Sequence, residues 1–242
     1  MRTLPKISTS SFACLPVLAL LTGCAGLSSS HADPAPVADC LTPGPVQTRV
    51  LADKASGFTP TEARPAAQIA RDLAGCLGAR DPVIRDQVAY EGLTQLLRRQ
   101  ALTDNDMRAL KDQFLIDLSG DDPDGVLRPF AALLLSEIIR ADRVAPYLND
   151  EDRNAILDAG IAYFKQLDDY RGFDPVDGWR HGIAHTADLF MQVSLNLAFD
   201  QKDHLKILDA LALQITTTNH AYTHGEGERM ARPVLFIARS GT

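Results

Sequence analysis

The sequence predicts an all-α fold, with antiparallel helical hairpins stacked as an α-α superhelix. Three observations predict it. From about residue 65 onward apolar residues recur at three- and four-residue spacing, the period of a helix with one face in the core. Strictly alternating apolar and polar runs, which would mark strands, are absent. The connections are short and carry helix starts and stops, so consecutive helices should turn back on one another. No internal sequence repeat is present, and the stacked architecture rests on helix number and loop length alone.

The chain opens differently. Arg2 and Lys6 form a basic start with no acid before Cys24, and an apolar run from Phe12 to Leu21 follows. That run is too short to span a bilayer, and basic-then-apolar is the order of a secretory signal. It ends in Leu21-Thr22-Gly23-Cys24, which resembles the lipobox of bacterial lipoproteins. The resemblance implies acylation of the Cys24 thiol and cleavage just before it, making residues 1–23 a signal peptide. An ordinary secretory signal with an incidental cysteine is the plainer alternative. The expected location is the bacterial cell envelope, with the chain held to a membrane by a lipid anchor. Residues 24–64 are rich in Ser, Pro, Ala and Gly and read as a flexible tether, with one short strand conceivable from Gln47 to Ala52. Cys14 leaves with the signal and Cys24 takes lipid, so Cys40 and Cys76 remain; they form a disulfide or stay as two buried thiols.

Residues 65–242 form the expected helical domain, with helices near 65–77, 82–100, 104–119, 126–141, 150–169, 178–199, 202–217 and 226–239. Pro82 after Asp81 reads as a first-turn proline behind a capping residue. Thr103 and Asn149 read as N-caps, each followed by first-turn acids that suit the helix dipole. Gly78, Gly120 and Gly172 read as stops. Loss of Arg2 and Lys6 takes the net charge from −7 to −9. An acidic domain with no basic run beyond Arg98-Arg99 argues against nucleic acid as a partner.

Several blocks carry a family likeness: Leu127-Arg128-Pro129-Phe130-Ala131-Ala132-Leu133, Asp169-Tyr170-Arg171-Gly172-Phe173, Gly178-Trp179-Arg180-His181, Ala184-His185-Thr186-Ala187-Asp188-Leu189 and Glu226-Gly227-Glu228-Arg229. From about Leu77 onward the chain resembles the family catalogued as domain of unknown function 2785. The resemblance implies an all-helical, superhelical domain and no particular activity. The leader and the early stop after the last block depart from the family pattern.

On a wheel begun at Gly178, His181, His185, Asp188, Gln192 and Asn196 fall in a stripe roughly 80° wide, and apolar residues fill most of the rest. The stripe holds no Lys, Arg or Glu, so it reads as a pocket wall or an internal network rather than a solvated face. Arg171 and Trp179, the single tryptophan, stand just upstream, and Glu226, Glu228 and Arg229 are placed to reach across. His181, His185 and Asp188 have spacing that can present two imidazoles and a carboxylate to a divalent metal such as zinc. Gly182 stands where the two-histidine metalloprotease motif has Glu, so that motif is absent. The plainer alternative is a pair of core histidines with Asp188 orienting one ring. Gly120 and Ala131 occupy the first and twelfth positions of what would be a calcium loop, which excludes it.

Two functions follow as expectations. One is an envelope lipoprotein that binds a ligand or a protein partner through the His/Asp cleft. The other is a metal-dependent hydrolase with His181, His185 and Asp188 as ligands and Glu226 or Glu228 as general base.

Overall fold

A computed structural model describes residues 40–218 and 220–240, all within one compact unit. The leader and Cys24 lie outside the described residues. Among them the chain is all-α, apart from one two-residue strand pair. Helix α1 spans Pro45–Ala55 and α2 Ala66–Ala74. A π-helical segment, Val83–Tyr90, runs straight into α3, Glu91–Arg98. Then come α4 (Asp104–Ser119), α5 (Leu127–Val144) and α6 (Asp150–Gln166). Strands β1 (Phe173–Asp174) and β2 (Gly178–Trp179) pair antiparallel, Phe173 opposite Trp179, and lead into α7, Gly182–Leu195. Helices α8 (Gln201–Ile215) and α9 (Glu226–Ser240) complete the described chain.

The helices pack in two layers. Every second helix stacks on the next, α3 on α5 on α7 on α9 in one layer and α2, α4, α6 and α8 in the other. Consecutive helices bridge the layers, α2 with α3, α4 with α5, α6 with α7 and α8 with α9. These are stacked hairpins. The centre is α5 and α7, with 12 of 18 and 11 of 14 residues buried, because Leu, Ile, Ala and Phe cover nearly their whole girth.

Local chemistry sets several boundaries. Thr103 and Asn149 each accept from the third backbone N–H of their helix, while Asp106 and Asp152 reach back to the cap. Reciprocal bonds of this kind satisfy two otherwise orphaned donors. Asp81 accepts from Val83 N–H at 2.9 Å with Pro82 in the first turn. Gly120 ends α4, whereas α2 stops at Gly75 rather than Gly78, and α6 ends at Leu167, well before Gly172.

Two expectations are corrected. Residues 45–55 are helix, not tether or strand: Pro45 sits in the first turn behind Gly44, and Val50 is fully buried. Asp53 and Asp72 are bridged by Arg64, Arg49 adds a second contact to Asp72, and a Cys40–Cys76 disulfide ties the segment to the end of α2. The helical domain therefore starts well before residue 65. The second correction is at 178, where a helix was expected to begin. Gly178 and Trp179 are strand, and α7 starts four residues later.

Candidate functional site

Helix α7 lies between α5 and α9 and has both as its main neighbours. The approach to it is set by the β1–β2 hairpin, which is gripped by the π-helical segment. Arg85, completely buried, donates through Nη2 to the carbonyls of Asp177 (2.7 Å) and Trp179 (3.3 Å) and through Nη1 to that of Ala79 (3.0 Å). Its Nε pairs with Asp86 at 2.7 Å, and its guanidinium lies 5.2 Å from the centre of the Phe130 ring. Asp86 in turn takes a hydrogen bond from the Trp179 backbone, although burial pushes its carboxyl up. A buried arginine is tolerable only with its donors engaged, and here the hairpin carbonyls engage them. Gly178 adopts φ +73°, and a Cβ there would come within 2.6 Å of Pro82 Cβ, so the grip depends on glycine.

After the hairpin, the N–H groups of Arg180 and His181 bond to the carbonyls of Gly172 and Arg171, both at 3.0 Å. His181 then turns into the left-handed region, φ +59° and ψ +33°, and α7 begins at the next residue. For a residue with a Cβ this costs about 1 kcal/mol or more, and the surroundings hold it there. The His181 ring stacks on Trp179 (4.7 Å between centres, 23° between planes) and meets His185 edge-on at 5.6 Å. Its Nε2 is buried 3.3 Å from Glu226 Oε1 without hydrogen-bond geometry, and the His224 backbone lies beside the ring. Burial holds the His181 pKa down; the nearby Glu226 charge opposes that shift and Arg229 adds to it.

His185 is enclosed on the same side. Its Nδ1 faces the Pro129 carbonyl of α5 at 3.2 Å, and Phe130 meets its ring edge-on at 5.1 Å. Burial, then the neighbouring His181 and Arg229, push its pKa down to about 3, so the ring is neutral. A neutral ring donating from Nδ1 to a carbonyl leaves Nε2 as a bare acceptor. Asp188 pairs with Nη1 of Arg229, from α9. Burial raises the Asp188 carboxyl, and Arg229 counters it. Glu226 opens α9, is buried, and accepts from the His224 N–H at 2.8 Å.

The structure thus brings His181, His185, Asp188, Glu226 and Arg229 together along α7 and α9, with Trp179 at the edge. Glu228 is not among them, being exposed and paired with Arg232 at 2.7 Å. Arg171 is more than half exposed and holds Asp169. Gln192 and Asn196 take other partners, Arg143 and Asp142. Arg85, Asp86 and His224 belong to the site's framework; the sequence reading passed over the first two and set His224 aside with His220 as a loop-like pair. Arg85 carried the faint signal of a lone arginine between Ile84 and Val88 on an otherwise apolar helix face.

Two of the three expected metal ligands have other partners in this structure. Asp188 is taken by Arg229, and Nδ1 of His185 by a carbonyl. Among the described residues no three His, Cys, Asp or Glu side chains are grouped to hold an ion.

The architecture and the site define an all-α, stacked-hairpin protein with a buried polar cluster along one central helix. The chain belongs to the family described as protein of unknown function, DUF2785, which matches residues 114–242 and so covers α5 to α9, the cluster's whole frame apart from Arg85 and Asp86. No curated protein and no solved structure matches it.

Proposed function

We propose that the chain is a bacterial envelope lipoprotein, anchored through Cys24, whose helical domain binds a ligand or a protein partner in the cleft between α7 and α9. The carrying observation is His181 Nε2, buried beside Glu226 without a hydrogen bond, in a cluster whose neighbours His185, Asp188 and Arg229 are fixed by their own contacts. An unpaired buried polar atom costs about 1–3 kcal/mol, which a ligand's donor or acceptor recovers. Trp179 and Arg229, each about a third exposed, give that ligand an aromatic edge and a cation at the mouth. For the anchor, the support is the run ending in Leu21-Thr22-Gly23-Cys24. No helix among the described residues is long and apolar enough to cross a membrane. Each buried methylene of an acyl chain contributes about 0.8 kcal/mol, so two chains hold firmly.

Native mass spectrometry of the gently purified chain tests the cleft. A bound small molecule is expected on the wild type and lost from Asp188→Asn with helicity unchanged. A ligand-free spectrum, together with no discrete adduct from a photocrosslinker at position 179, would remove the reading. Fatty-acid labelling that marks wild type and Cys24→Ser equally would remove the anchor.

A further inference from the structure

Helix α7, 14 residues long, begins without a side-chain cap. His181 stands at the capping position, but its ring stacks on Trp179 beside Glu226 and caps no N–H of the helix. The N–H of His185 bonds to the His181 carbonyl at 2.9 Å. Those of Gly182, Ile183 and Ala184 have no acceptor among the described residues, and all three residues are buried. Enclosed donors at the positive end of a helix are the complement of an oxyanion.

A second observation points to the same place. Tyr163, from α6, is 6 % exposed, and its hydroxyl has no hydrogen-bond partner among the described residues. It is aimed at the start of α7: a Cβ on Gly182 would come within 2.9 Å of it, so glycine there keeps the helix end open to the phenol. Burial raises the phenol's pKa, which keeps it a donor. Tyr163 and Gly182 line a cleft of about 280 Å³ with Arg128, Arg171 and Arg180. The Arg128 guanidinium lies over the Tyr163 ring, 4.7 Å from its centre. Asp122, Asp168 and Asp169 line the cleft as well. Asp122 accepts from the N–H groups of Val126 and Arg128, and Asp169 pairs with Arg171. Arg180 pairs with Asp177 at 3.1 Å, so the arginines bring no surplus positive charge and the free donors are neutral. That balance suits one negative charge rather than two.

We infer that the N-terminus of α7 and the Tyr163 hydroxyl form a site for the carboxylate of a small organic acid, separate from the cleft between α7 and α9. Acetate and inorganic phosphate, titrated at constant ionic strength into the ¹⁵N-labelled full chain in detergent, test it. Acetate should give saturable shifts at the Gly182, Ile183 and Ala184 amides, and phosphate weaker ones. Tyr163→Phe, which removes one oxygen and keeps the ring, should weaken acetate about tenfold, the worth of one hydrogen bond to a charged group. No saturable shift at those amides would overturn the site. So would equal acetate affinity in wild type and Tyr163→Phe, or shifts confined to Asp188, Glu226 and Arg229. Tighter binding of phosphate than of acetate would overturn the single-charge assignment.

Discussion

Burial holds the His185 imidazole neutral, from its ordinary 6.5 down to about 3, and this ties the stability of the domain to pH. The unfolded chain takes up a proton at His185 near pH 6.5, and the folded chain refuses it until about pH 3. Between those values the unfolded state binds more protons, so stability is full above pH 6.5 and falls as the pH drops through the window. The contribution is on the order of 5 kcal/mol for a shift of this size. His181, also held down by burial, adds to the loss. Asp188 works the other way, because its raised carboxyl is relieved of a burial cost on protonation. Chemical denaturation from pH 7 to pH 5 should therefore show falling stability in the wild type and a flatter profile in His185→Ala. That variant should itself lose about 2–4 kcal/mol from the cavity and the lost contact to Pro129, equally with and without chelator. A loss that vanishes in chelator would instead place a metal at the ring.

Among the elements, the hairpin and the π-helical segment matter most to the site. The wheel begun at Gly178 put His181 and His185 on one helical face. In the molecule His181 is a left-handed residue ahead of the helix, and the two rings meet because Trp179 and Glu226 hold the first one. Nothing in a helical period encodes that turn. It depends on Arg85, which binds the hairpin carbonyls more than ninety positions downstream, and on Asp86, which accepts from the Trp179 backbone. Widening of the helix at Val83–Tyr90 was equally invisible, since Ile84, Val88 and Ala89 satisfy an ordinary helical pattern. The capped helices were legible for the opposite reason: Thr103 with Asp106 and Asn149 with Asp152 carry their partners three residues away. Trp179 reports on the hairpin because it is the only tryptophan. Gly178→Ala places a methyl against Pro82 in a backbone region that alanine disfavours, a cost of about 1–3 kcal/mol. Its expected signature is a red-shifted tryptophan emission with helicity retained; unchanged emission would show that the hairpin does not need the glycine.

At the scale of the whole molecule, the Cys40–Cys76 disulfide and α1 decide where the domain begins. The bridge closes a loop of 36 positions that holds α1 against α2 and the π-helical segment. Loop-closure entropy makes such a bridge worth about 3–4 kcal/mol. Cys76→Ser should lower the denaturation midpoint accordingly and bring early proteolytic cleavage within residues 45–64. Cleavage sites unchanged from the wild type would mean that α1 holds by the Arg64–Asp53 and Arg49–Asp72 pairs alone. By itself the sequence determined the all-α class, the position of the central helices and the polar side of α7, because these depend on the three- and four-residue spacing of neighbours along one chain. Only the tertiary structure decided that residues 45–55 fold, that α7 starts uncapped at Gly182, and that Asp188 is claimed by Arg229 rather than left for an ion. Val50 is the one apolar residue α1 buries, too few for a period to show, and its burial exists only once α2 and the π-helical segment are packed beside it. Each of those outcomes rests on contacts between distant segments, whose energies no local pattern records.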